Sequence, residues 1–287
     1  MPPQPLAGVS HIFFVCVIDS NMLLEFTKMQ GVGNDYIYVD ARTQTIPDPH
    51  DLARRLSDRH FGIGGDGLVL ILPAEAGADV TMAMYNADGS EGLMCGNAVR
   101  CVAEWLIERG VVRGNLVRIA TKSGIKTVRR LREHYYSVNM GPATVGSAAF
   151  AGIHDLTTVS IGNPHVVWFP QFEIQNYNIQ RLGQRIEHSK IFPNGTNVEF
   201  VRVIGDNLLQ MRVWERGSGE TLGCGTGACA AAVASVARGL CNREKLIRVQ
   251  LPGGELAVDC ANEQVRLLGP AATVFHGTVE IGGINEN

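Results

Sequence analysis

Residues 217–232 read GSGETLGCGTGACAAA, and residues 88–103 read DGSEGLMCGNAVRCVA. Set 129 positions apart, the two stretches align Cys224 with Cys95, Gly225 with Gly96 and Glu220 with Glu91. The same offset carries Arg238-Gly239 onto Arg109-Gly110, Gly162-Asn163 onto Gly33-Asn34, and Gly253 onto Gly124. Landmarks this varied at one spacing define an internal duplication with a Cys-Gly helix start in each copy.

Val99, Val102, Ala103, Leu106 and Ile107 follow the i, i+3, i+4, i+7, i+8 pattern. That spacing predicts a helix from Asn97 to Arg109, stopped by Gly110. Its counterpart is an Ala-rich helix, Thr226 to Arg238, stopped by Gly239. Apolar and alternating runs predict strands at Leu23–Phe26, Tyr36–Val39, Leu68–Leu72 and Thr81–Tyr85, and again at Val166–Phe169 and Leu208–Trp214. A short helix is expected over Asp51–Arg59. Gly31-Val32-Gly33 is not a dinucleotide loop, because its third Gly is missing and a strand follows where a helix should. The fold class expected is α/β (α+β). It consists of two pseudo-symmetric domains, residues 22–141 and 142–287, divided near Gly141-Pro142, with residues 1–21 as an N-terminal extension. Met22 is a candidate natural start.

The chain has 287 residues, 45% hydrophobic and 18% charged, which describes a globular protein able to bury two cores. A formal charge of −3 gives no basis for nucleic acid or an anionic membrane as partner. No apolar run approaches the roughly 20 residues of a spanning helix, and His11–Ile18 has no Lys or Arg before it, so it makes a poor secretory signal. Seven cysteines in a chain of this size argue against a disulfide framework and for a reducing, cytoplasmic setting. Cys95/Cys101 and Cys224/Cys229 lack the spacing of a zinc knuckle, and no metal is expected.

A helix N-terminus exposes unpaired N–H groups and a positive partial charge, so it can bind a carboxylate and lower the pKa of a thiol placed there. Duplication brings two such ends together about a pseudo-two-fold axis. A small carboxylate between them would receive amides from Gly96 and Asn97 on one side and Gly225 and Thr226 on the other. The two sulfurs would then flank the adjacent carbon from opposite faces. One thiolate removes the α-proton, and the other thiol returns a proton from the far side. One cysteine at a helix start reads as packing; a symmetric pair between Gly-rich loops reads as chemistry. No cofactor is required. Asn34 by itself reads as a turn residue, since Asn favours such positions.

At these residues the sequence resembles the diaminopimelate epimerase family, of the diaminopimelate epimerase/proline racemase superfamily. The motifs are GVGNDY (31–36), YNADGSE (85–91), MCGNAVRC (94–101), GNPH (162–165), ERGSGET (215–221) and GCGTGA (223–228). The resemblance runs from Met22 to about Ile281. It implies interconversion of LL- and meso-diaminopimelate, serving lysine and peptidoglycan precursor synthesis. It also implies two similar domains, each a barrel-like mixed sheet around a central helix, with the active site in the cleft between them. Cys95 and Cys224 become the acid/base pair. Asn34, Asn86, Asn163, Asn197, Glu215 and Arg216 become substrate contacts, chiefly to the distal amino acid end, with His165 as a supporting residue. The partner implied is the small-molecule substrate; the oligomeric state stays open, with a homodimer among the options. Ala98 stands where the family usually has Gly, and Gly67 where some members have Gln.

Three alternatives stand beside this reading, the last a non-catalytic binding module, which would keep its ligand when either cysteine is replaced. Another two-cysteine amino acid racemase, of proline, hydroxyproline or histidine type, would share the mechanism but would not need Glu215, Arg216 and the four Asn residues. A thiol redox protein would cycle Cys95 and Cys224 through a disulfide.

Overall fold

The computed structural model describes residues 22–92 and 95–282. The N-terminal extension with Cys16, and Met94 of the first cysteine motif, lie outside the described residues. The first copy runs β1 (Leu23–Gly31), β2 (Asn34–Asp40), α1 (Pro49–Ser57), β3 (Gly67–Leu72), β4 (Val80–Asn86), β5 (Glu91–Gly92), α2 (Gly96–Glu108), β6 (Leu116–Thr121), β7 (Gly124–Arg132), β8 (Tyr135–Pro142) and β9 (Thr144–Phe150). The second copy runs β10 (Ile153–Ser160), β11 (Pro164–Trp168), α3 (Ile179–Glu187), β12 (Asn197–Gly205), β13 (Leu208–Glu215), β14 (Gly219–Thr221), α4 (Gly225–Ala237), β15 (Ile247–Leu251), β16 (Gly254–Asp259), β17 (Gln264–Pro270) and β18 (Ala272–Glu280). Every element of the first copy has its counterpart, and α2 and α4 match residue for residue at the 129 offset. The α+β class expected from the sequence holds. Helix α3 was not among the sequence expectations; the offset from α1 was the signal that could have found it.

All 18 strands join one continuous sheet. In each copy the pairing plan is the same: β1–β2, β2–β3 (parallel), β3–β4, β4–β6 (parallel), β6–β7 and β7–β8, repeated from β10 to β17. The copies exchange their ends. Strand β9 pairs with β10, and β18 returns from the C-terminal end to pair with β1. They also join through β8 and β17, where Val138 pairs with Leu267, Ser137 with Leu268 and Asn139 with Arg266. Val138 and Leu267 are themselves one offset apart, so the pseudo-two-fold axis runs through that pair.

Each set of strands wraps one helix. Helix α2 packs against strands from β1 and β2 to β7, β8 and β18, and α4 against their counterparts. A helix surrounded this way is buried on all sides, so the few polar side chains it carries must find partners inside. Eleven consecutive residues of α2, Gly96 to Leu106, are buried, and α4 meets the demand with alanines small enough to let the sheet close around it. Ala98 sits in this helical stretch, fully buried, so a Cβ is accommodated there. At Gly67, by contrast, a Cβ would lie 2.1 Å from the Tyr85 carbonyl oxygen, which leaves no room for a side chain.

Candidate active site

Helices α2 and α4 begin at the axis. Their N-cap residues are Cys95 and Cys224, both in extended backbone conformation. A Cβ placed on Gly225 would lie 3.7 Å from the Cα of Gly96, and a Cβ on either glycine would meet Leu267 Cδ2 at 2.9 Å. Glycine at both positions is what lets the two helix starts converge over the axial leucine. The first intrahelical bonds are Val99 N–H to Cys95 O (3.1 Å) and Ala228 N–H to Cys224 O (3.0 Å). The amides of Gly96, Asn97, Gly225 and Thr226 therefore belong to the unpaired first turn on each side.

The helix starts open into a cavity of about 760 Å3, lined from both copies. Cys95, Cys224, Asn34, Asn86, Gly96, Asn97, Asn163, Asn197, Glu215, Arg216, Gly225 and Thr226 all line it. His165 does not line it; it lies fully buried behind Asn163, whose Oδ1 is 2.9 Å from His165 Nε2.

The elements explain these positions. Asn34 opens β2 directly after the two-residue turn Val32-Gly33, whose φ values of 50° and 79° are the positive pair such a hairpin requires. Asn86 and Glu215 close the equivalent strands β4 and β13. Asn197 opens β12 and uses both ends of its amide on backbone: it donates to Pro164 O (2.9 Å) and accepts from Arg216 N–H (3.0 Å). It thereby ties the loop carrying Asn163 to the loop carrying Arg216. The Arg216 guanidinium donates to Asn194 O at 3.1 Å.

The Cys95 thiol donates to Asn34 Oδ1 at 3.3 Å. Cys224 Sγ accepts from Gly227 N–H at 3.4 Å and lies 3.5 Å from Thr226 Oγ1. The expectation that the helix starts depress the thiol pKa values does not hold in this cavity. Burial pushes Cys95 up to about 11, although the first-turn amides of Ala98 and Asn97 pull it down. Burial drives Cys224 well above the ordinary thiol range, helped by the nearby carboxylates of Glu215 and Glu199. Desolvation of the thiolate outweighs a partial helix charge here. Burial also raises Glu215, against hydrogen bonds from Thr221 and Cys224.

Several residues at the site escaped the sequence reading. Arg100, fully buried in α2, donates to Gly96 O (3.1 Å), Asn97 Oδ1 (2.8 Å) and Pro270 O (3.1 Å). It has no carboxylate partner among the described residues, and its positive charge counts among the influences that favour the Cys95 thiolate. Asp66 accepts from Asn34 Nδ2 (2.7 Å) and Arg59 (2.9 Å). Glu199 sits on β12 with its side chain wholly buried, beside His165. The available signal was a charged residue inside an apolar run: Arg100 within α2, Glu199 within Val198–Val201.

The sequence model of the family described as diaminopimelate epimerase matches residues 26–146 and 157–274. A diaminopimelate epimerase of Desulfovibrio desulfuricans is 45% identical, over 88% of this chain and 97% of its own length. The chain belongs to the diaminopimelate epimerase family. Another diaminopimelate epimerase, from Acetivibrio thermocellus, is 42% identical over 90% of this chain and 99% of its own length. Among solved structures, a Bacillus anthracis phenazine biosynthesis protein of the PhzF family superposes with a TM-score of 0.73 at 18% identity, covering 91% of this chain and all of that one. A hydroxyproline epimerase from Agrobacterium vitis gives 0.66 at 18% identity, covering 90% and 93%. At that identity the likeness is one of fold. The fold is therefore shared with proteins of several names, while the family itself is set by sequence.

The described residues hold no helix long and apolar enough to cross a membrane. Their six cysteines are all free thiols. Their one grouping with metal-ligand geometry, Glu104, Glu108 and His134, involves the last turns of α2, at the opposite end of that helix from Cys95.

Proposed function

We propose that this chain interconverts LL- and meso-diaminopimelate without a cofactor, using Cys95 and Cys224 as the acid/base pair, in the reducing cytoplasm. The observation that carries it is the convergence of two cysteine-capped helix starts on one axis and one cavity. Family membership supplies the substrate class.

In this reading the substrate α-carboxylate sits on the paired first-turn amides, which stabilise the negative charge growing on it. The thiolate of one cysteine takes the α-proton, becoming a thiol as the C–H bond breaks. The other cysteine gives its S–H proton to the opposite face of the same carbon and is left as thiolate. The two sulfurs exchange roles with each inversion and titrate as one coupled pair. At the distal end, an ammonium needs acceptors, which Glu215 and the Asn carbonyls provide. A carboxylate needs a donor, which Arg216 provides.

The deciding experiment is α-proton exchange in deuterated water, with LL-diaminopimelate, meso-diaminopimelate and proline as separate substrates. Exchange with inversion on the diaminopimelates alone is expected. Activity on proline alone would keep the mechanism and replace the substrate; exchange on none, with thiols reduced, would sink both.

Two further outcomes follow. Both thiols are raised above their ordinary value in the free enzyme. The thiolate that starts the reaction is therefore scarce near neutrality, and kcat/KM rises with pH between about 7 and 9. It falls again only when the second thiol also loses its proton. A kcat/KM that declines across that interval would contradict the assignment. Arg216→Met removes a charged donor worth about 1.5–3 kcal/mol. It raises KM for diaminopimelate by about 10- to 100-fold, with kcat changed less. Initial rates over a range of substrate concentration separate the two parameters.

A further inference from the structure

The duplication supplies two equivalent asparagines, Asn34 and Asn163, and holds them in opposite senses. Asn34 donates its NH2 to Asp66 Oδ2 (2.7 Å), so its carbonyl oxygen faces the site, accepting from Asn97 Nδ2 (3.2 Å) and the Cys95 thiol (3.3 Å). Asn163 instead gives its carbonyl oxygen to His165 Nε2 (2.9 Å) and turns its NH2 to Thr226 Oγ1 (3.2 Å). Thr226 is the offset counterpart of Asn97, so the same contact is made with donor and acceptor reversed.

The anchors differ between the copies. Asp66 is replaced at the 129 offset by Gly195, while His165 and Glu199 replace Tyr36 and Leu70. His165 Nδ1 lies 2.7 Å from Glu199 Oε1, and both side chains are wholly buried. Glu199 Oε2 has no hydrogen-bond partner among the described residues, which leaves His165 as the group among them that holds this carboxylate. A buried carboxylate with a single partner demands a charge-assisted one. With Nε2 facing a carbonyl oxygen, that nitrogen carries the proton donated to Asn163, while Nδ1 and the Glu199 carboxylate share a hydrogen bond.

We propose that Glu199 is a positioning residue that acts through His165 to fix the Asn163 amide with its NH2 toward Thr226 and the cavity. Period-two alternation along β12 puts Glu199 on the same face as Asn197, toward α4. The register of β11 on β12, His165 opposite Asn197, sets the imidazole within its reach. The other ionisable groups facing the pair are Glu215 of β13 and Cys224 at the start of α4. The consequence is a symmetric frame with unlike walls, an acceptor on the Cys95 side and a donor on the Cys224 side. Such a site can tell a substrate's ammonium from its carboxylate. In Glu199→Gln the charge is gone and the ring keeps one proton, on Nδ1 toward the new carboxamide. Nε2 becomes an acceptor, and Asn163 turns over to donate to it.

The kinetic part of this inference rests on the epimerase reading; the tautomer part does not. Nitrogen-15 histidine spectra of the whole protein, without substrate, are expected to show a proton on Nε2 of His165, the nitrogen that faces the Asn163 carbonyl oxygen. In Glu199→Gln the ring proton moves to Nδ1. That variant raises KM for diaminopimelate about tenfold with kcat within about threefold, as expected for lost ground-state recognition. Glu199→Gln/His165→Gln is no worse than the poorer single variant, because both act through one amide. An Nε2 without a proton on His165 in the unaltered protein would overturn the proposal without any variant. So would an unchanged KM and unchanged His165 resonances in Glu199→Gln. An unaltered protein that shows the Nε2 proton but no epimerisation would count against the substrate reading and leave this positioning role standing.

Discussion

Cys95→Ala and Cys224→Ala each lower kcat/KM for epimerisation by about a thousandfold or more, because each removes one of two proton-transfer groups worth about 10²–10⁴. The more telling result is what survives. Each variant keeps one thiol, on one face of the α-carbon. It can still remove and return a proton on that face, so deuterium washes into one diastereomer without inversion. Cys95→Ala and Cys224→Ala are expected to label opposite members of the LL/meso pair, since their remaining thiols come from opposite sides of the axis. Mass spectrometry of each recovered diastereomer checks this. Labelling of the same diastereomer by both variants would place the sulfurs on one face and end the two-thiol mechanism. A redox protein cycling Cys95 with Cys224 would show no exchange in any form, and a non-catalytic binding module would likewise show none.

Gly253→Ala is expected to be one of the most damaging single-methyl additions among the described residues. A Cβ there would lie 2.0 Å from the Val32 carbonyl oxygen and 2.7 Å from its carbon. Both are backbone atoms at the tip of the β1–β2 hairpin, which crosses from the first copy to lodge among Gly223, Gly253 and Gly254 of the second. Neither atom can rotate away, so the tip itself must move. Overpacking of this kind costs about 3 kcal/mol or more, which corresponds to a fall in Tm of roughly 6–12 °C. Asn34 follows the tip directly, so activity should fall with stability. The offset counterpart Gly124 is the control: a Cβ there meets nothing within 4 Å, and its φ of +87° leaves only backbone strain, worth about 1–2 kcal/mol. Calorimetric melting of both variants decides; equal melting points would mean the hairpin tip is not packed against Gly253.

Much of this architecture is legible in the chain itself. The Cys-Gly helix starts, the helix stops at Gly110 and Gly239, and most first-copy strands are local patterns, and local patterns need no partner to be read. The expected Asn97–Arg109 helix is observed as Gly96–Glu108, within a residue at each end. The duplication is likewise a property of sequence, because self-similarity at a fixed offset survives without any contact being known. It even holds the position of α3, at the offset of α1.

What tertiary structure alone decided is of another kind. Strand β18 belongs to the second copy in sequence and pairs with β1 of the first, a choice of long-range hydrogen-bond partner that no local pattern encodes. The thiol pKa values turn on whether the helix start or the burial is stronger, and burial depends on what closes over the site from the other copy. His165 enters the sequence reading only as a supporting residue implied by the family resemblance, and Glu199 does not enter it. Only the register of β11 on β12 makes them a buried pair. Sequence determined two equivalent asparagines, one helix start apiece, and two cysteines to cap them. Tertiary structure decided that the copies share an axis through Val138 and Leu267, and that their asparagines face it with opposite polarity. The reason is physical: repetition copies residues, but an amide's orientation is set by whichever donor or acceptor the packed neighbours place against it.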